Sequence, residues 1–409
     1  MKKGLAMLIC MLVVLSLAFG VTEIHFMNFS SSGDNSDYLL EMEELFEGEN
    51  PDIEVKIETI GFGDYFTKLM TVIAGNNPPD CFELNYENFY AYSKKNVLMN
   101  LNDLISENNF DTSIINERAL EAFQVDGEQY GLPFSFSNVV LIYNKELFDE
   151  AGAEYPNSNW TWEDEQAAAE KIRALGPMTF GISHPIQFWE FYKVVQQNGG
   201  GILNEEKTEF TINSPENIEA LKFMVDRVAK SNVMPTEAQM AGMGDWDLFE
   251  SGMLGMIVTG SWAFSSFTES CDFEWDIAVE PGNIAKATHF FSNGLVVSKD
   301  TEKADACFKW ISFLSSDEDV ARIRIDGGWE LPAITNPEII EYYSSIKPPA
   351  SKEIIFESLD YLVTPPVIEQ YAEMTDIINN YLEKARDGVL TPKEALDQAQ
   401  EELSGKIEI

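Results

Sequence analysis

Hydrophobic and polar positions switch between two periods along the first hundred residues. Glu23–Phe29 is a short β-prone run, and the polar stretch Ser30-Ser31-Ser32-Gly33-Asp34-Asn35 after it reads as a loop. Tyr38–Phe46 carries Leu39, Met42 and Phe46 at helical spacing, and Pro51-Asp52 closes that unit. Ile53-Glu54-Val55-Lys56-Ile57 alternates with the period of a strand. Phe62–Ala74 returns to the helical period, and Asp80–Leu84 reads as the next strand. This β-α-β-α-β order predicts an α/β chain with a largely parallel, doubly wound sheet.

Further along, helix starts are marked by their caps. Thr161 with Asp164 has capping-box spacing before Ala167–Leu175. Ser214-Pro215 supplies an N-cap and a first-turn proline, followed by a stripe of Ile218, Leu221, Val225 and Val228. Thr391-Pro392-Lys393-Glu394 repeats the start signal, with Leu396, Ala399 and Leu403 as the buried face of the last helix. No internal repeat, low-complexity tract or long linker interrupts the pattern. The 389 residues after position 20 suffice for two domains of about 100–200 residues each, and two lobes without a linker imply several chain crossings between them.

The extreme N-terminus stands apart. Lys2 and Lys3 precede an apolar run from Leu5 to Phe19, and Ala18-Phe19-Gly20 offers small residues around a cleavage site. This is the layout of an export signal over residues 1–20. The run is shorter than the ~20 apolar residues of a membrane span. Cys10 lies inside the run and not at its exit, so no lipid-attachment motif is seen. A soluble protein of the periplasm or extracytoplasmic space is expected.

Composition adds two constraints. The chain holds 27 basic and 69 acidic residues in 409. Residues 1–20 contain two lysines and no acid, so the mature chain keeps 25 basic residues against 69 acids, a net charge of −44. Such a surface repels nucleic acid and favours a soluble monomer. Of four cysteines, Cys81, Cys271 and Cys307 remain after signal removal, which allows one disulfide at most. Cys81 and Cys307 lie in apolar patterns and read as buried free thiols.

Two stretches carry a family likeness. Pro133–Glu150 has Ser135, four intervening positions, then Val140-Leu141-Ile142, Tyr143-Asn144, Phe148 and Glu150. It resembles, position for position, the signature of bacterial extracellular solute-binding proteins of the maltose-binding type. Phe249–Trp262 is similar to that family's helix-Gly-strand-Gly-x-Trp segment, with Gly252, Met256–Val258, Gly260 and Trp262 in place. Weaker echoes run in order through Glu49–Ile53, Pro78-Pro79-Asp80, Asn198-Gly199-Gly200, Glu280-Pro281-Gly282, Leu331-Pro332-Ala333 and Pro392–Leu403.

The resemblance implies two doubly wound lobes around a ligand cleft, the type II arrangement of periplasmic binding proteins. It places the N-terminal lobe at residues 21–137 plus 283–330 and the C-terminal lobe at 142–279 plus 334–409. Crossings fall near 138–142, 277–282 and 329–334. It implies a carbohydrate ligand, delivery to the permease subunits of an ABC importer, and no cofactor or metal.

A neutral sugar needs aromatic faces for its C–H surfaces and planar polar groups for its hydroxyls. Matched segments make Trp262, with Ser261 beside it, the leading contact; the plain alternative is a core tryptophan. Gln187 and Trp189 precede Asn198-Gly199-Gly200, and could equally belong to a helix packing face. Asn85, Tyr86 and Glu87 follow the third strand. Ser30 and Ser31 follow the first, where such sheets place ligand-facing edges. Ser137 and Asn138 lie at the first crossing, and Asn293 and Trp329 complete the set.

The enzyme alternative is a secreted glycoside hydrolase, which uses two carboxylates about 5–9.5 Å apart. With 69 acids a pair can always be proposed, so number alone carries no weight. No Gly-x-Ser-x-Gly or His-Glu-x-x-His segment occurs, and His25, His184 and His289 show no metal-ligand spacing.

Overall fold

A computed structural model describes residues 20–334 and 336–409. The expected export signal falls almost wholly on residues 1–19, outside the described residues. Among the described residues no helix is long and apolar enough to cross a membrane.

In chain order the strands are β1 (Thr22–Asn28), β2 (Ile53–Thr59), β3 (Cys81–Asn85), β4 (Gln124–Val125), β5 (Glu128–Gln129) and β6 (Gly131–Asn144). They continue as β7 (Phe180–Ser183), β8 (Leu254–Gly260), β9 (Trp275–Ala278), β10 (Thr288–Val297), β11 (Leu331–Pro332) and β12 (Leu362–Val363). β4 and β5 form a separate hairpin. The rest form one sheet in the order β2-β1-β3-β10-β6-β8-β7, with β9 and β11 on β6 and β12 on β10.

β6 joins the two halves of this sheet. All 14 of its residues are buried. Through Asn138 it pairs with β10, and from Val139 onward with β8 and β9. The sheet is mixed, where the sequence predicts a largely parallel one. Parallel pairing holds within each half, at β1–β2, β1–β3 and β7–β8. β10 is antiparallel to both β3 and β6 because the chain enters it from the opposite half. The central strands thus carry the crossings, and a returning crossing must run against its neighbours.

The helices begin where the caps predict. Thr161 and Asp164 form a capping box at Trp162–Arg173, and Ser214 Oγ accepts the Asn217 N–H at Pro215–Ala229. Thr391 and Glu394 form another at Pro392–Lys406. The helix Ser36–Glu49 buries Leu39, Met42 and Phe46. Phe46 meets Trp310 edge-on at 5.0 Å, which ties that helix to Ala304–Ser316 across the N-terminal half. A second core joins Phe188–Gln197, Pro215–Ala229, Tyr371–Arg386 and Pro392–Lys406 in the C-terminal half. Cys81, Cys271 and Cys307 are all free, and Cys81 and Cys307 are buried as expected.

Candidate ligand-binding cleft

Strand direction sets the place of the cleft. β6 runs parallel to β1–β3, through β10, and antiparallel to β8 and hence to β7. The C-terminal ends of the two sets of parallel strands therefore point toward each other. They meet at the middle of β6. Asn85, at the end of β3, stands opposite Asn293, and Asn293 stands opposite Ser135. Gly260, at the end of β8, stands opposite Val139. Ser135 and Val139 are four residues apart on one strand, about 13 Å at ~3.3 Å per residue. Open α/β sheets bind ligands outside the carboxyl ends of their strands, and here two such edges face each other, which makes the gap between them the candidate cleft.

The floor of that gap is recognisable from burial. Within β10 only Phe291 and Asn293 are not fully buried. They are two residues apart and so share one face of the sheet. A register shift between Asn293 and Gly294 bends the strand at this point, the kind of bulge that re-aims a side chain. The half-buried Trp262 meets Phe291 edge-on, with ring centres 5.0 Å apart and planes at 85°. His289 stacks on Phe291 at 3.4 Å.

Gly260, at the end of β8 before Trp262, is not a turn residue. Its backbone is ordinary extended chain, φ −94° and ψ 174°, so no special turn requires glycine. Instead the indole of Trp262 folds back over it. A Cβ at position 260 would lie 2.0 Å from the ring. Glycine is needed here for clearance.

The remaining predicted residues divide into groups. Asn85 Nδ2 donates to Glu87 at 2.6 Å, and Asn88 donates to Asn85 Oδ1 at 2.8 Å. Glu87 is buried and accepts from His289 Nε2 at 2.9 Å, while half-buried Tyr86 sits edge-on to Phe290 at 6.0 Å. Ser137 and Asn138 are buried on β6. Asn138 Nδ2 donates to the Ile355 carbonyl at 2.8 Å, and its Oδ1 has no partner among the described residues. The hydroxyls of Ser30, Ser31 and Ser261 are likewise buried and unpartnered among those residues. Glu83 Oε2 accepts the Phe29 and Ser30 N–H groups at 3.0 Å each and so fixes the loop after β1. Burial raises the Glu83 carboxyl above the usual carboxylate range.

Gln187 is exposed at the N-cap of Phe188–Gln197, and its Oε1 accepts from the half-buried Trp189 indole at 2.9 Å. Beside Gln187 a cavity of about 840 Å³ opens at the end of β7, lined by Ser183, Met234, Thr236, Gly244 and Asp245 among others. Trp329 stands away from the floor. It is 4% exposed, edge-on to Phe134 at 6.1 Å and covered by the Arg324 guanidinium at 4.1 Å.

Under the helix Phe188–Gln197 lies a buried charge cluster that sequence reasoning missed. Lys193 Nζ is 2.7 Å from Glu190 and 2.6 Å from Glu280, and Gln197 Nε2 donates to Glu280 at 2.8 Å. His184 Nε2 contacts Glu190 at 2.5 Å, and Arg227, itself paired with Glu165, approaches His184 Nδ1 at 3.4 Å. Arg227 can only donate, so Nδ1 accepts and Nε2–H donates to Glu190. Burial lowers the His184 pKa to about 3, and burial raises that of Glu280 to about 7. His184, Glu190 and Glu280 could converge on a metal ion. The Lys193 ammonium already lies between the two carboxylates and supplies the cation.

Comparison with known proteins agrees with this geometry. Residues 31–321 match the family model of the bacterial extracellular solute-binding protein. The chain belongs to that family. An ABC substrate-binding protein from Listeria monocytogenes, solved in complex with cycloalternan, is 49% identical. It aligns over 94% of this chain and 98% of its own, with a TM-score of 0.90. The arabinooligosaccharide-binding protein of Bacillus subtilis is 22% identical over 95% of this chain and 93% of its own. A maltose-bound protein of T. maritima, 22% identical over 95% of this chain and 100% of its own, shares the fold at a TM-score of 0.80. Solute-binding proteins of this family are binding components of ABC importers that act outside the cytoplasm, and the two-lobed type II fold is theirs.

Proposed function

We propose that this solute-binding protein captures an oligosaccharide between its lobes and passes it to the permease subunits of an ABC importer. One observation carries the reading. Both sets of strand ends converge on a floor where Phe291 and Asn293 are the open positions of β10, with Trp262 beside them. Ring faces suit the C–H surface of a sugar, and the amides of Asn85 and Asn293 suit its hydroxyls. Ser30, Ser31, Ser137, Asn138 and Ser261 supply further polar groups around the floor. Gln187 and Trp189 extend the site toward the 840 Å³ cavity, which has room for additional sugar rings. Glu87 and Tyr86 support the wall beside Asn85, and Trp329 acts from behind through Phe134 and Arg324.

The lobes follow the division at residues 21–137 with 283–330 and 142–279 with 334–409. Its support is the change of partner along β6 at Asn138–Val139 and the pairing of β11 with β6. The mature protein, net charge −44, works as an exported monomer without nucleic-acid partners; N-terminal sequencing from the native host places the cleavage site. The hydrolase alternative gains nothing from the nearby acids. Glu83 is committed to backbone N–H groups and Glu87 to His289 and Asn85.

The 49% identity to the Listeria protein makes cycloalternan the first ligand to test. Calorimetric titration should show saturable one-to-one binding, with the saccharide recovered intact by chromatography. Cleavage of the ligand would favour a hydrolase. Failure to bind cycloalternan and a panel of linear oligosaccharides would overturn the saccharide reading.

A further inference from the structure

Three buried residues from three separate elements make one polar chain beside the floor. Tyr192 lies on the helix Phe188–Gln197, which follows β7 in the C-terminal half. Its hydroxyl is 2.5 Å from His289 Nδ1 and 3.2 Å from the Val363 carbonyl on β12, the strand paired with β10 at His289. His289 Nε2 is 2.9 Å from Glu87, on the helix Tyr86–Lys94 that follows β3 in the N-terminal half. Tyr192, His289 and Glu87 are 0%, 1% and 4% exposed. Burial lowers the His289 pKa and raises that of Tyr192, so the imidazole is neutral and the phenol protonated at pH 7. The Tyr192 hydroxyl then donates to Nδ1, and Nε2–H donates to the Glu87 carboxylate.

Both ends of this chain run into the candidate site. Glu87 accepts from Asn85, which stands opposite Asn293. The His289 ring stacks on Phe291, the ring that Trp262 meets edge-on. Trp189 lies one helical turn before Tyr192.

We propose that Tyr192, His289 and Glu87 are positioning residues that bridge the two lobes, fix the angle between them and hold the Phe291 ring where ligand meets it. The ligand-facing part rests on the saccharide reading above; the lobe-angle part does not. A bridge that serves only local packing would affect stability alone. A bridge that sets the lobe angle must also affect the spread of that angle without ligand.

The experiment uses the full mature chain with nitroxide labels at Lys68→Cys and Lys171→Cys, both exposed and one in each half, in a Cys271→Ser background. Inter-lobe distance distributions are measured without ligand, and cycloalternan affinity by calorimetry. Tyr192→Phe removes one hydroxyl and keeps the ring. It should broaden the ligand-free distribution and raise Kd about tenfold, the worth of one buried hydrogen bond. His289→Gln keeps a donor toward Glu87 and loses the ring stacked on Phe291. It should weaken binding at least as much. A Tyr192→Phe distribution superimposable on the parent overturns the bridge, whatever happens to Kd. If the parent protein binds no cycloalternan, the saccharide reading loses its first ligand, and the ligand-free distributions still decide the bridge.

Discussion

Replacing Trp262 tests whether the floor of the cleft is a binding surface. A tryptophan side chain offers about 150–250 Å² of contact area. Half-buried Trp262 leaves on the order of 60 Å² for a ligand, and at ~25 cal/mol per Å² that area is worth ~1.5 kcal/mol. Stacking adds about 0.5–1.5 kcal/mol. Trp262→Ala should therefore weaken binding by ~2–3 kcal/mol, a rise in Kd of roughly 30- to 150-fold. Its stability cost comes from the lost Phe291 contact and the covered part of the ring. That cost should be ~2 kcal/mol, below the about 3–5 kcal/mol of a fully buried Trp→Ala change. Gly260→Ala is the sharper companion. It keeps the indole but places a methyl 2.0 Å from it, so the ring must leave its seat. Affinity should fall comparably although no contact group has been deleted. Calorimetric titration beside a denaturant melt separates the two quantities. Unchanged affinity with a stability loss above about 3 kcal/mol would make Trp262 an ordinary core residue, not a binding surface.

Other consequences follow from the buried charges and the lobe contact. Lys193→Met leaves Glu190 and Glu280 without their shared cation, and should cost about 3–5 kcal/mol of unfolding free energy at pH 8 in a denaturant melt. A loss under about 1 kcal/mol would contradict that assignment. His184 binds a proton near pH 6.5 when unfolded but only near about 3 when folded. The unfolded state thus holds more protons between those values, and the His184 contribution to stability falls as pH falls through that window. Parent and His184→Gln melts should diverge in the variant's favour by up to about 1.4 kcal/mol per pH unit on acidification from pH 6.5; parallel curves would reject a neutral buried imidazole. Gly328 has φ +70°, and a Cβ there would lie 2.6 Å from the Ser265 Cβ in the other half of the molecule. Gly328→Ala should cost about 1–2 kcal/mol for the backbone alone and enlarge the radius of gyration of the ligand-free protein by small-angle scattering; an unchanged radius would mean the two halves do not meet there in solution.

Much of the framework is visible in local pattern. The helix Phe62–Ala74 has the bounds its periodicity predicts. The caps at Thr161, Ser214 and Thr391 mark starts because their chemistry is local, each side chain acting on a backbone N–H about three residues away. Trp262 and Asn85 stand out as candidates because they lie at or just after strand ends, which face ligand in sheets of this kind, whereas Asn293 lies inside β10 and carries no such signal. Phe291 could have been found from Asn293 by the period of two along β10. His289 could not, since its meaning depends on Glu87 and Tyr192, 202 and 97 residues away in the chain. Glu190 and Lys193 sit on a helix otherwise rich in apolar residues, and only the segment after β9, which brings Glu280 to Lys193, explains their burial. The reason for Gly260 was also hidden. A glycine kept for clearance looks the same in sequence as one kept for a turn.

A crystal structure of the mature protein with cycloalternan tests most directly whether saccharide sits between the opposed strand ends. A sugar ring should lie against Trp262 and Phe291, with hydroxyls reaching Asn85 and Asn293 between the opposed strand ends. Saccharide held wholly in the cavity beside Ser183 and Asp245, or on the outer surface, with Trp262 and Phe291 untouched, would contradict it.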